Sequence, residues 1–201
     1  MKRLLLLALG AVLAACSGLN LAPTQAERYL VLDAAVPAAP AARAVRHEGT
    51  LLLAPTMAPS FYDTQDIVFS KSPGTRGLYQ LSHWTEPPSL RVGGLIGARL
   101  QAAGAFRSVA SANSGLRGRW LLRTQIEEIY HDASSPPGTA RLTLTAELTD
   151  PARRELVARR RFVAAVPVAR FDADGAAAGL GEALAQVLDE LTLWVDTVAV
   201  D

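Results

Sequence analysis

Few side chains in this sequence can do covalent, acid–base or metal chemistry, and their spacing decides how far each can be taken. There is one cysteine, Cys16, and there are three histidines, His47, His83 and His131. No two histidines stand at i, i+4 or in another ligand spacing, so neither a structural nor a catalytic metal site is indicated. The phosphate-loop pattern G-x-x-x-x-G-K-S/T is absent, and Gly93, Gly94 and Gly97 fall inside a predicted helix rather than after a strand. The nucleophile elbow G-x-S-x-G is missing as well. A Ser-His-Asp set could still assemble from distant residues, since triads are defined by geometry, but no spacing selects one. Glu127 and Glu128 are adjacent on a predicted strand, where neighbours point to opposite faces and cannot share a substrate.

Arginine offers a different chemistry. In Arg159-Arg160-Arg161 a strand would put Arg159 and Arg161 on one face, and paired guanidinium groups suit a phosphate headgroup; ordinary surface charge is the competing reading. The stretch LSHWTEPPSL, Leu81 to Leu90, places Trp84 among charged and turn-forming residues at the mouth of a helix. Trp84 could be an exposed recognition aromatic, with Tyr62, His83 and Glu86 as further partner contacts. Alternatively it packs under the helix start, with Glu86 near the positive end of the helix dipole.

The lone cysteine has the sharpest context. Lys2 and Arg3 precede an uncharged apolar run, Leu4 to Ala15, which reads as a secretory signal and is too short for a span of about 20 apolar residues. Leu13-Ala14-Ala15-Cys16 resembles the bacterial lipobox, in which the thiol takes a diacylglycerol, the chain is cut before it and the new N-terminus is acylated. Each buried methylene contributes about 0.8 kcal/mol, and two or more chains hold a protein stably on a bilayer. Cleavage there would remove Lys2 and Arg3 and leave 18 basic against 19 acidic residues, a net charge of −1. Such a balance provides no polybasic field for nucleic acid. Ser17 stands where lipoproteins retained in the inner membrane commonly carry Asp, which points to the outer membrane, facing the periplasm.

The rest of the chain must supply the scaffold. With 201 residues, half of them apolar, one domain with a full core is expected: a signal at 1–15, a lipidated tether at 16–27 and a single domain at 28–201. Strand composition marks Arg28 to Leu32 and Thr50 to Pro55, the latter a continuous apolar run of the kind buried on both faces. Asp66 to Phe69 and Leu78 to Trp84 read as a hairpin around KSPGTRG. Pro87 and Pro88 open a helix that Gly104 closes, with Val92, Leu95, Ile96 and Leu100 on its core face, and Phe106 to Ala110 follows as a strand, suggesting a crossover. Arg119 to Tyr130, Ala140 to Thr149 and Glu155 to Val168 alternate with period two and form a meander. Its middle strand is expected to be half-exposed, with Arg141, Thr143, Thr145 and Glu147 outward. A last helix starts at Asp172 or Asp174 and carries Leu180, Leu184, Val187, Leu188, Leu191, Val195 and Val198 as one stripe. The fold class is α+β: a mixed, largely antiparallel sheet with two helices packed against it.

These features together resemble the ABC-type transport auxiliary lipoproteins, the family that includes the C component of the paraquat-inducible Pqi system. The resemblance runs from the lipobox through Tyr29-Leu30-Val31-Leu32, the strand ending at Pro55, Pro59 with Phe61-Tyr62, Ile67-Val68 and Tyr79 to Trp84-Thr85-Glu86-Pro87, where the family typically reads W-A-E-P. His83 and Ser70 stand where basic residues are common. The resemblance implies a non-enzymatic lipoprotein, without cofactor beyond the lipid on Cys16, that accompanies an ABC permease and ATPase and an MCE-domain protein in moving phospholipid or other apolar molecules between membranes. It would hold the outer-membrane end of that assembly; homo-oligomers stay open. Two other functions compete: a carrier holding lipid between helices and sheet, and a hydrolase of envelope lipid with convergent Ser, His and Asp.

Overall fold

The structure, a computed structural model, describes residues 26–34 and 45–199; Cys16, the signal and most of the tether lie outside them. Eight strands form one mixed sheet: β1 (Arg28–Leu30), β2 (His47–Leu53), β3 (Asp66–Ser70), β4 (Gly77–Trp84), β5 (Phe106–Ser111), β6 (Trp120–Asp132), β7 (Thr139–Asp150) and β8 (Glu155–Pro167). Helix α1 (Pro88–Ala103) lies between β4 and β5, and α2 (Ala173–Val198) ends the fold. The expected α+β architecture is the observed one.

The meander β6-β7-β8 is antiparallel throughout and provides most of the ladder. The other edge of β6 is divided. Its first residues pair in parallel with β2, and its last two pair in parallel with β3. Between those arms the loop after β2 lies along β6: Ala54 N–H donates to the Leu122 carbonyl, Met57 N–H to that of Thr124, and Ile126 N–H to that of Met57. Buried Thr56 and Thr124 share a hydroxyl hydrogen bond of 2.7 Å at the same level. One arm continues to β5 at an outer edge, the other through β4 to the short β1.

α1 begins with Pro88 in its first turn and ends at Gly104, whose φ of 64° is the left-handed conformation that glycine adopts without penalty. It does not join parallel neighbours as a simple crossover would: β4 runs antiparallel to β3, whereas β5 pairs in parallel with β2, on the far arm. The Asp172 carboxylate caps α2 by accepting from Gly175 N–H at 2.8 Å. The stripe from Leu180 to Val195 is buried across β6, β7 and β8, while Val198 is half-buried. The first turns of α2 are small residues for a steric reason. A side chain at Gly179 would press on Val168 and Ala140, and one at Gly181 would strike the Asp33 carbonyl of the segment crossing the helix.

Three expectations about the sheet are corrected. A bulge between Ile126 and Glu128 shifts the register of β6, so Ile126 and Ile129 both point into the core and both glutamates fall on the outer face. The outer face of β7 is also less exposed than alternation implies. Thr143 and Thr145 are buried, the Thr145 hydroxyl donating to Glu127, which in turn accepts from Arg161. In β2 only Leu51 of the three consecutive leucines is fully buried, because Leu52 and Leu53 lie partly open on either face.

Leu144, at the centre of β7 beneath α2, tests how much this packing contributes. Leu144→Ala is expected to lower unfolding free energy by about 2–5 kcal/mol, read as a shift in urea midpoint at unchanged slope.

Candidate functional site

The partner-binding candidates separate. Trp84 is 2% exposed, with its backbone N–H donating to the Gln65 carbonyl at 2.6 Å and the Thr85 backbone N–H donating to the Leu30 carbonyl. Its indole is core, as the packing alternative requires, and presents no recognition surface. Tyr62 is 8% exposed, and its hydroxyl accepts from Arg76 Nε at 2.8 Å. Arg76 also stacks over Tyr130 and donates to Glu128 Oε1 at 2.9 Å, closing a Tyr62-Arg76-Glu128 network on the outer face. His83 lies 3.2 Å from Asp66 Oδ1 with its ring beside Tyr29, and Glu86 lies 4.0 Å from the Arg91 guanidinium. Two of the four are buried, so the four do not make one exposed patch.

Arg159 and Arg161 do share the outer face of β8, yet each faces a carboxylate: Arg159 with Glu147 at 3.4 Å and Arg161 with Glu127 at 2.7 Å. The Thr145 hydroxyl and then the Arg161 guanidinium hold the Glu127 carboxyl below its usual range. Arg160 points to the helix face and donates to Glu190 of α2 at 3.0 Å. A phosphate at Arg159 and Arg161 would therefore displace existing ion pairs.

Sequence reasoning missed a cleft of about 530 Å3 beside β4, walled by Phe69, Leu78, Leu81 and Phe171 with Arg28 and Lys71 at its margin. Tyr79 lines it, and its hydroxyl meets His131 Nδ1 at 2.8 Å. His131 Nε2 lies 3.2 Å from the Pro137 carbonyl, so Nε2 donates there and Nδ1 accepts from the tyrosine. Gly138 at φ 93° lies against the same imidazole, and a side chain there would collide with it. Burial holds the His131 pKa below its ordinary value, against the opposing pull of the Pro137 carbonyl and the Asp132 and Asp172 charges. Burial, then the Asp172 charge, pushes Tyr79 up to about 12. Both groups are neutral near pH 7. No local signal marked His131: alternation continued from Ile126 would turn it outward, and the bulge before Glu128 is what brings it into the core.

Among the described residues no cluster of His, Cys, Asp or Glu is placed to hold a metal ion, and no helix is long and apolar enough to cross a membrane. The sequence model for the ABC-type transport auxiliary lipoprotein component matches residues 30–192, from β1 nearly to the end of α2. The chain belongs to this family. No curated protein matches the auxiliary lipoprotein in sequence. A Xanthomonas campestris protein of the family DUF330 superposes with a TM-score of 0.75 at 22% identity, covering 84% of this chain and 96% of that one. An uncharacterized protein gives 0.65 at 14% identity over 85% and 99% of the two chains. A hypothetical protein of Chlamydia trachomatis gives 0.54 at 10% identity over 76% and 98%. At these identities the likeness concerns the fold of the auxiliary lipoprotein, whose open sheet with two helices they share.

The His131 environment has a consequence for stability. Below pH about 6.5 the unfolded chain protonates its histidines while the folded state keeps His131 neutral, so the unfolded state binds more protons and stability is lost as the pH is lowered. In urea melts at about pH 7.5 and about pH 5, His131→Gln should lose part of the wild-type difference between the two midpoints.

Proposed function

We propose that this lipoprotein is a non-catalytic, periplasm-facing docking subunit of an ABC transport assembly that moves phospholipid or a similar apolar cargo, held at the outer membrane by lipid on Cys16. The single observation that carries this reading is the family match over residues 30–192, which spans almost the whole domain. The chemistry of the fold agrees with it. The Tyr62-Arg76-Glu128 network, the Arg159 and Arg161 ion pairs and the Tyr79-His131 contact join elements of the scaffold to one another. With no phosphate-loop motif in the sequence, ATP hydrolysis falls to another subunit. An MCE-domain protein and the ABC permease and ATPase are the partners this reading assigns.

Attachment rests on acyl chains rather than on a protein span, because buried methylenes at about 0.8 kcal/mol each make two or three chains a stable anchor. Cys16→Ala is accordingly expected to move the protein from the membrane to the soluble fraction while the domain keeps its thermal transition. Affinity capture of the wild-type chain from solubilised envelopes should recover an MCE-domain protein together with ABC subunits. Capture of neither, alongside a control complex that survives the same solubilisation, would falsify the docking role.

A further inference from the structure

The cleft beside β4 lies at the end of the domain where the chain from Cys16 enters. Ala26 and Glu27 lead directly into Arg28, and Arg28 lines the cleft. The first turn of α2 is there as well, since Arg28 Nη1 donates to Asp174 Oδ2 at 3.0 Å. The last turns of α2 meet the start of β2 through His47 and Asp196, at the opposite end of the helix. Twenty-six residues at about 1.5 Å each set those two ends about 39 Å apart.

Ala26 stands ten positions after Cys16, so even a fully extended chain keeps the two within about 35 Å. That is less than the length of α2. The cleft end can therefore meet a bilayer that holds Cys16 at any extension of the intervening chain. The far end could do so only with that chain drawn out along the whole domain.

The surface of the cleft end suits the boundary of a bilayer. Phe171 is 47% exposed, Leu78 and Leu81 are each 39% exposed, and all three wall the cleft. The charges around them balance: Arg28, Lys71 and Arg170 stand with Glu27, Asp172 and Asp174. Arg170 lies 3.0 Å from Asp174, and the Asp172 carboxylate caps α2. No net field remains to select an anionic partner, so the contact is apolar in character. Exposed Lys71 lies 5.5 Å over the Phe69 ring, where a long stem can follow apolar surface while its ammonium stays in water.

We infer that this end of the domain rests on the bilayer that holds Cys16, with Leu78, Leu81 and Phe171 at the headgroup boundary, the cleft opening onto lipid and the end of α2 turned away. Three exposed apolar side chains orient the domain without holding it, so attachment still requires the acyl chains. The inference rests on the docking reading for the lipid on Cys16, and on the fold for which end faces it.

The test uses the lipidated chain in phosphatidylcholine vesicles. Lipidation consumes the only cysteine, so Leu78→Cys, Phe171→Cys, Leu116→Cys and Leu193→Cys each carry one thiol for an environment-sensitive fluorophore. All four positions are exposed, and unchanged melting is expected. Leu116 precedes β6, whose other end adjoins Ala133 in the cleft, and Leu193 lies in the last turns of α2, so both report on the far end. Lipid bearing a shallow nitroxide should quench the labels at 78 and 171 on the order of threefold more than those at 116 and 193. The difference should be the same at about 0.05 M and about 0.5 M salt. Adding Phe171→Asp should reduce quenching at Leu78→Cys while the protein still floats with the vesicles. Equal quenching at all four positions, stronger quenching at the far end, or quenching abolished by salt would each overturn the proposal. Blue-shifted emission at 78 and 171 without quenching would show that protein covers the cleft, and would overturn it too. Flotation with any of these patterns removes the orientation and leaves the anchor; a wild-type chain that does not float removes the anchor and the orientation together.

Discussion

The structure depends on how one strand, β6, satisfies its backbone along both edges. A buried strand of this length cannot leave N–H or C=O groups unanswered, since each would cost free energy comparable to a lost hydrogen bond. One edge is met by β7 over nearly its whole length. The other is met in three parts, by β2, by the loop through Ala54 and Met57, and by β3. The two arms of the sheet diverge because that middle part is loop and not strand. The same division sends β5 to one outer edge and leaves β4, only partly covered by β1, at another.

The ionisable side chains mostly serve this frame. Arg76, Arg159 and Arg161 are each held by a carboxylate on the outer face, and Arg46 and His47 tie the start of β2 to Asp196 near the end of α2. Arg99 is buried with Nη1 3.2 Å from Asp189, a contact that joins α1 to α2. These pairs leave the outer face with largely self-answered charge. The family to which the chain belongs is that of an auxiliary lipoprotein component of ABC-type transport.

The parts of the fold legible in the sequence were those governed by local rules. Period two marked β6, β7 and β8, the 3.6-residue stripe marked α2, and Pro88 with Gly104 bounded α1, because these patterns follow from which face each residue must bury. The bulge at Glu127 was not legible. It arises from register between strands, and once present it placed both glutamates outward, where alternation alone had divided them. Trp84 was ambiguous for a similar reason, since the same indole beside the same prolines can face solvent or core according to what the Gln65 and Leu30 segments do.

By itself, the sequence determined the element order, the bounds of α1, the start of α2 and the absence of local catalytic motifs, while the lipobox expected at Cys16 lies outside the described residues. Each depends on residues close together in the chain. Tertiary structure alone decided that His131 meets Tyr79, that Arg159 and Arg161 are paired, and that β1 stops short of covering β4. The arginine pairs are set by register within the meander, and the other two by how the arms of the sheet part around β6, for which no local pattern exists.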